Sequence, residues 1–167
     1  VYAELKSYAD AGRNAGIAAE PLRAAHYALA ATVDDVIMNT PWGAHGGWSR
    51  QTMVSAFHGD VQGGERFFAW LDRLMGAPAQ NRQALELYEL CLALGMEGKY
   101  RLSPRGPAEL TAVRNNLRQT LRGLGPAEWA KFLADPVRYM GGEPERFRAD
   151  VLQALAQTMA LQGPGTA

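Results

Sequence analysis

The run PLRAAHYALAATVDDVIMNT at residues 21–40 carries the clearest structural signal in the chain. Its apolar residues recur at the three- and four-residue spacing of one helix face, at Leu22, Ala25, Leu29, Val33 and Val36. Pro21 is favoured in the first turn of a helix. Pro41 ends the helix, because proline lacks a backbone N–H and disfavours helical geometry in the preceding residue. The run therefore predicts an amphipathic helix with one face toward a core.

The same helical periodicity extends through the other long segments. It predicts helices over residues 1–12, 49–57, 65–75, 80–94, 103–124, 128–133 and 144–161. Ser49 is predicted to cap the helix over 49–57, and Ser103 with Pro104 to open the helix over 103–124. The helix over 80–94 is apolar on nearly every face, so Leu90 is predicted to be buried centrally. The sequence predicts an all-α fold of about seven to eight helices. We expect residues 1–124 to form the main domain, and residues 125–167 to form an additional helical tail packed on the same domain.

Composition excludes several classes of function. Lys and Arg number 17 and Asp and Glu number 17, so the formal net charge of +0 gives no overall attraction to nucleic acid or to an anionic membrane. The single cysteine, Cys91, rules out an internal disulfide and a zinc site built from cysteines, and it suits a reducing compartment. No apolar run of about 18 residues is present to span a bilayer. The chain starts at Val1 inside a predicted helix, so we expect it to be part of a longer protein.

The side chains capable of catalysis or metal binding form no recognisable motif. The histidines, His26, His45 and His58, lack the H-E-x-x-H spacing of metal ligands. Cys91 lies in the most apolar predicted helix, where a thiol packs as a small hydrophobic group. The segment GDVQGGE lacks the Lys-Ser/Thr of a phosphate-binding loop, and it is typical of a helix start with Glu65 at the positive end of the dipole. The sequence therefore predicts no enzyme, no bound metal and no cofactor.

Two charged groups admit more than one interpretation. Asp34 and Asp35 are adjacent on a helix, so their side chains diverge by about 100° and cannot share a proton or a metal ion. They lie near the negative end of the helix dipole, where a local arginine, a protein partner or plain solvation would offset the cost. A row of arginines, Arg114, Arg118 and Arg122, lacks interleaved aromatic residues and is predicted to be a solvated face rather than a nucleic-acid surface.

Three blocks of the chain resemble, in order, the signature blocks of one protein family. They are AAHYALAATVDDVIMNTPWG, FHGDVQGGERFFAWLDRL and LELYELCLALGMEGKYRL. They resemble the DotU family, also called TssL or IcmH-like, whose members are subunits of type VI and type IVB secretion systems, and the resemblance spans roughly residues 15–122. It implies an all-helical cytoplasmic domain with two small bundles arranged as a hook around a cleft. It also implies a position at the cytoplasmic face of the bacterial inner membrane, through a transmembrane segment absent from this sequence.

The resemblance further implies a structural adaptor without enzymatic activity. Its partners would be a TssM-like inner-membrane subunit, a TssJ-like subunit and baseplate subunits of the TssK and TssE types, with a homodimer as a further option. Two departures from the family accompany this resemblance. We expect the family's first N-terminal helix to be missing, and the tail after about residue 122 to differ from the short linker and transmembrane helix that the family implies.

The resemblance also assigns residues. The family's acidic pair falls on Asp34 and Asp35, with Asp in place of Glu at the second position. Partner-binding roles are implied for Asp34, Asp35, Thr40, Trp42, His58 and Glu65. Structural roles are implied for Pro41, Gly43, Phe57, Gly59, Gly63, Gly64, Phe67, Phe68, Tyr100 and Arg101. We interpret residues 40–68 as the stiff support of a docking surface, with a hydrogen bond between His58 and Glu65. The alternatives are a small-molecule or cofactor site at Trp42 and His58, and a nucleic-acid-binding bundle.

Overall fold

The computed structural model describes residues 1–41, 43 and 47–125 of the chain. The α-helices are α1 Tyr2–Asn14, α2 Ala19–Met38, α3 Met53–His58, α4 Gly63–Met75, α5 Arg82–Ala93 and α6 Gly106–Gly123. Gly47–Arg50 and Gly98–Leu102 form a first and a second 3-10 helix. The described residues contain no strand, and the predicted all-α fold is confirmed. The predicted helices at 128–133 and 144–161 lie outside the described residues.

Helix α2 is the centre of the described fold, because α1, α3, α4 and α5 all pack against it. Its inward face is rich in alanine, and Ala24, Ala28 and Ala30 are each 0% exposed. These small side chains let the neighbouring helices approach closely. Larger side chains fill the space around them, chiefly Phe67, Leu85, Tyr88, Met96 and Leu117. The predicted amphipathic helix is therefore present, although its stripe ends early, since Val36 is 41% exposed.

Two predicted helix starts are wrong by a few residues. Ser49 lies within the first 3-10 helix, and α3 is capped instead by Thr52, whose side-chain oxygen accepts a hydrogen bond from Ser55 N at 3.1 Å. Helix α6 begins at Gly106 rather than at the predicted Ser103, because Ser103 ends the second 3-10 helix. In both places a short 3-10 segment takes up residues that a capping pattern alone assigns to the α-helix.

The predicted burial of Leu90 is also wrong. Helix α5 packs against α2, α4 and α6, and its inner face carries Leu85, Tyr88 and Cys91. The opposite face of α5 points outward, where Leu90 is 51% exposed and Leu94 is 65% exposed. An apolar residue on every face of a helix therefore does not require a neighbour on every face. Among the described helices, none is both long and apolar enough to cross a bilayer.

Candidate functional site

The carboxylate of Asp34 joins three helical elements. Asp34 lies on α2, is 8% exposed, and accepts hydrogen bonds from Trp48 Nε1 at 2.9 Å, Met53 N at 2.8 Å and Val54 N at 2.8 Å. Met53 and Val54 open α3, where backbone N–H groups lack partners within the helix and the dipole favours a negative charge. Asp34 therefore fixes the first 3-10 helix and α3 against α2. The expected unfavourable placement of this carboxylate is wrong, because it caps the start of another helix.

The neighbouring carboxylate, Asp35, holds a different segment. It accepts hydrogen bonds from Glu97 N at 3.0 Å and from Arg101 Nη2 at 2.9 Å. Arg101 also pairs with the carboxylate of Glu97 at 3.2 Å. The sequence left a local arginine, a protein partner and plain solvation as ways to offset the charge of the acidic pair. At Asp35 the structure shows the local arginine. Together the two aspartates tie both 3-10 helices to the C-terminal part of α2.

The turn after α2 is held by the side chain of Thr40. Its hydroxyl donates to Ile37 O at 2.7 Å and accepts from Gly43 N at 3.0 Å. Gly43 is buried, and a Cβ at this position would lie 1.9 Å from Ile37 O, so no other residue fits without movement. Pro41 lies on the exposed side of this turn, and Trp42 lies outside the described residues. Thr40, Pro41 and Gly43 thus occupy the connection that the sequence predicts to be stiff.

His58 lies in a separate place, against His26 of α2. Nδ1 of His26 and Nε2 of His58 are 2.9 Å apart, and Nε2 of His26 lies 3.1 Å from Leu5 O. A carbonyl oxygen accepts only, so His26 donates from Nε2, and in its neutral form its Nδ1 accepts from Nε2–H of His58. Burial, followed by the neighbouring His26 and Arg23, lowers the pKa of His58 to about 4. The predicted bond between His58 and Glu65 is wrong, since His58 bonds His26.

Most of the remaining motif residues pack the second and third sequence blocks that resemble the family against each other. Phe68 contacts both Phe67 and Tyr100 edge to face, with ring centroids 5.0 and 4.7 Å apart. Gly64, in the first turn of α4, meets Gly98 of the second 3-10 helix. Gly98 has φ +49°, and a Cβ there would lie 2.6 Å from Gly64 O.

The other predicted motif residues lie at the ends of α3 and α4. Phe57 stacks on Tyr2 of α1, and Gly59 ends α3. Gly63 begins α4, and Glu65 is exposed in its first turn.

The predicted partner-binding residues therefore fall into separate groups. Asp34, Asp35 and Thr40 lie at the C-terminal end of α2, with Arg101 beside them. His58 instead bonds to His26, which precedes Asp34 by eight residues, or about 12 Å along the helix axis. The structure brings together the acidic pair and the turn, and it separates them from His58. Each predicted partner role remains a prediction.

Asp60 is a structural residue that the sequence reasoning missed. Its carboxylate accepts a hydrogen bond from the Tyr27 hydroxyl at 3.0 Å and from Gln62 N at 3.0 Å. It also pairs with Arg66 Nε at 2.6 Å. Asp60 therefore connects α2 with the start of α4. The available sequence signal is the tendency of aspartate to accept a hydrogen bond from the backbone N–H two residues later, as it does here from Gln62 N.

The arginine row on α6 is only partly the solvated face that the sequence predicts. Arg118 Nε donates to Glu89 on α5 at 2.8 Å, so this side chain joins two helices. Nε of Arg114 is buried and has no hydrogen-bond partner within the described part of the chain. Arg122 is exposed. The row therefore does not present three equivalent cations to a nucleic acid.

No cluster of three His, Cys, Asp or Glu side chains able to hold a metal ion occurs among residues 1–41, 43 and 47–125. Cys91 is 1% exposed, and burial raises the pKa of its thiol. The thiol therefore lies in the core in its protonated form. These observations describe a packed helical scaffold in which polar side chains hold connections in place.

Comparisons with known proteins agree with this description. The sequence model of the family described as "Type VI secretion system protein DotU" matches residues 1–161, which includes most of the tail beyond the described residues. A similar solved structure is the crystal structure of TssL from Vibrio cholerae, with a TM-score of 0.72 and 37% sequence identity. The alignment covers 74% of this chain and 80% of that chain. No curated protein sequence matches the chain significantly.

Proposed function

The chain belongs to the type VI secretion system DotU family, and from this premise we propose that it is a docking domain of the secretion machine's membrane complex. It would join a TssM-like inner-membrane subunit to baseplate subunits of the TssK and TssE types. The proposed position is the cytoplasmic face of the inner membrane. The likeness to TssL from Vibrio cholerae supports this reading.

The proposal rests on one exposed surface, which we call the α2-end surface. It consists of Asp35, Val36, Thr40, Arg101 and Leu102. Val36 is 41% exposed and Leu102 is 90% exposed, and each directly follows a member of the Asp35–Arg101 ion pair. Exposed apolar side chains beside a fixed ion pair are the mixture that protein interfaces use, with apolar contact for affinity and charge for orientation. The ion pair also restrains the backbone around both apolar residues, which reduces the ordering cost on binding.

A structural rather than catalytic role fits the titratable groups. Burial lowers the pKa of both His26 and His58, so both rings are neutral at pH 7. The hydrogen bonds that the two rings make to each other and to Leu5 O hold α1 and α3 against α2. We propose that these groups stabilise the scaffold and perform no chemistry.

The test compares two single substitutions at equally exposed apolar residues. Leu102→Glu changes the α2-end surface, whereas Val61→Glu changes the connection between α3 and α4, where Val61 is 89% exposed. Both variants should melt like the wild type, because neither side chain belongs to the core. In titrations against the cytoplasmic parts of the TssM-like, TssK-like and TssE-like subunits, Leu102→Glu should weaken at least one complex by about tenfold, the loss of roughly 1.4 kcal/mol.

Val61→Glu should bind all three subunits as the wild type does. Equal binding by both variants would remove the α2-end surface from the docking site. Failure of all three subunits to bind the wild type would refute the adaptor role itself.

A further inference from the structure

A cavity of about 560 Å³ opens at the N-terminal half of α2. Its lining comes from α1, α2, α3 and the connection between α1 and α2, and includes Lys6, Arg13, Ile17, Leu22, Arg23 and Phe57. This volume lies within the range of sites that bind ligands or short peptide segments. Because the lining residues on α2 precede Asp34 by at least eight positions, the cavity is distinct from the α2-end surface.

The lining has one sign of charge. Lys6, Arg13 and Arg23 supply three cations, and no carboxylate lines the cavity. Arg13 also pairs with Asp10 on its own helix. Within the described part of the chain, the side chains of Lys6 and Arg23 make no ion pair, and both are exposed. Two cations at the mouth of the cavity are therefore available to a ligand.

The floor of the cavity is apolar and held in place. Ile17, Leu22 and Phe57 contribute apolar surface, and Ile17 is 41% exposed. His26 and His58 also line the cavity, and their hydrogen bonds to each other and to Leu5 O fix α1 and α3 around α2. The site therefore combines a preformed apolar floor with a cationic rim.

We propose that this basic cavity binds an acidic segment of a protein partner, with one apolar side chain on the floor and carboxylates on the rim. Lys6 lies on α1 and Arg23 on α2, so the two available cations stand on different helices lining the cavity. A small inorganic anion offers no apolar group to Ile17, Leu22 and Phe57. A peptide with two acidic side chains and an apolar side chain between them matches both the cations and the apolar lining. The inference goes beyond the proposed function, since it adds a second docking site at the other end of α2.

The experiment is a titration of the isotope-labelled full chain, followed by amide chemical shifts. The probe is a capped peptide with two glutamates three positions apart and leucine between them, and the control peptide carries glutamine in place of glutamate. The variants Lys6→Gln and Arg23→Gln each remove one rim cation. Arg50→Gln, at an exposed arginine on the first 3-10 helix, is the matched control.

The acidic peptide should shift amides of α1 and of the first half of α2, and should bind more weakly as salt rises. Each rim variant should weaken binding by up to about fivefold, the effect of one exposed ion pair. Arg50→Gln should change nothing. Equal binding of the glutamine peptide, equal loss in Arg50→Gln, or no shift at millimolar peptide would overturn the proposal. Inorganic phosphate or vesicles of anionic phospholipid producing the same shifts more strongly would also overturn it, in favour of another ligand class.

Discussion

Asp34→Asn should destabilise the fold strongly, although it only replaces one carboxylate oxygen with an amide group. The remaining oxygen of Asn can still accept from Trp48 and Met53, which now share Oδ1, but the new amide group faces Val54 N where Oδ2 now accepts. One bond to a charged acceptor is lost, which costs about 1.5–3 kcal/mol, and the other two weaken because the acceptor becomes neutral. We expect a total loss of about 3 kcal/mol, a large part of the roughly 5–15 kcal/mol that holds a domain folded.

The assay is urea unfolding of the wild type, Asp34→Asn and Asp35→Asn, with the indole N–H resonance of Trp48 as a local reporter. Asp35→Asn is the matched control, because its ion pair with Arg101 is partly exposed and is worth about 1 kcal/mol or less. The expected order of stability is wild type, then Asp35→Asn, then Asp34→Asn by a wide margin, with the Trp48 resonance moved only in Asp34→Asn. Equal stability of the two variants would refute the reasoning, because it would show that the three hydrogen bonds of Asp34 do not hold α3 in place.

Further predictions concern pH, the outer face of α5 and one glycine. The pKa of His58 is about 4 against an ordinary 6.5, and that of His26 is also lowered, so stability is full above pH 6.5 and falls as pH drops toward 4. The loss at His58 should be about 1–2 kcal/mol after solvent screening at a half-buried ring, and His58→Gln should flatten this slope in urea unfolding at pH 7, 5.5 and 4.5. Leu90→Asp should cost about 0.5 kcal/mol or less in thermal melting, because Leu90 is 51% exposed, and an unfolded variant would contradict its outward position. Gly98→Ala should cost about 2 kcal/mol, because of its φ of +49° and its close approach to α4, whereas Gly123→Ala, where an added Cβ meets nothing within 4 Å, should be neutral or stabilising.

The helices themselves follow from local patterns in the sequence. The apolar spacing of residues 21–40 predicts α2, because that spacing depends only on residues close in sequence. The sequence does not predict the 3-10 helices. A serine that fits a capping pattern, such as Ser49, can equally lie inside a short 3-10 turn. Element types are therefore better specified than their first residues.

The role of Asp34 could not be predicted for a different reason. Its three donors come 14, 19 and 20 residues later in the chain, and nothing in the local sequence indicates that they return to α2. The pairing of Asp35 with Arg101, 66 residues away, is equally non-local. The outward position of Leu90 likewise depends on which neighbours α5 acquires, and a helical pattern does not specify them. The polar contacts that shape the candidate site are thus tertiary features.

The central claim is that the α2-end surface docks the chain within the secretion machine. Photo-crosslinking inside bacteria that assemble the machine tests it most directly, with a crosslinking amino acid placed once at Leu102 and once at Val61, which are 90% and 89% exposed. The probe at Leu102 should capture a TssM-like, TssK-like or TssE-like subunit, and the probe at Val61 should capture none of them. Capture of these subunits from Val61 but not from Leu102 would contradict the central claim.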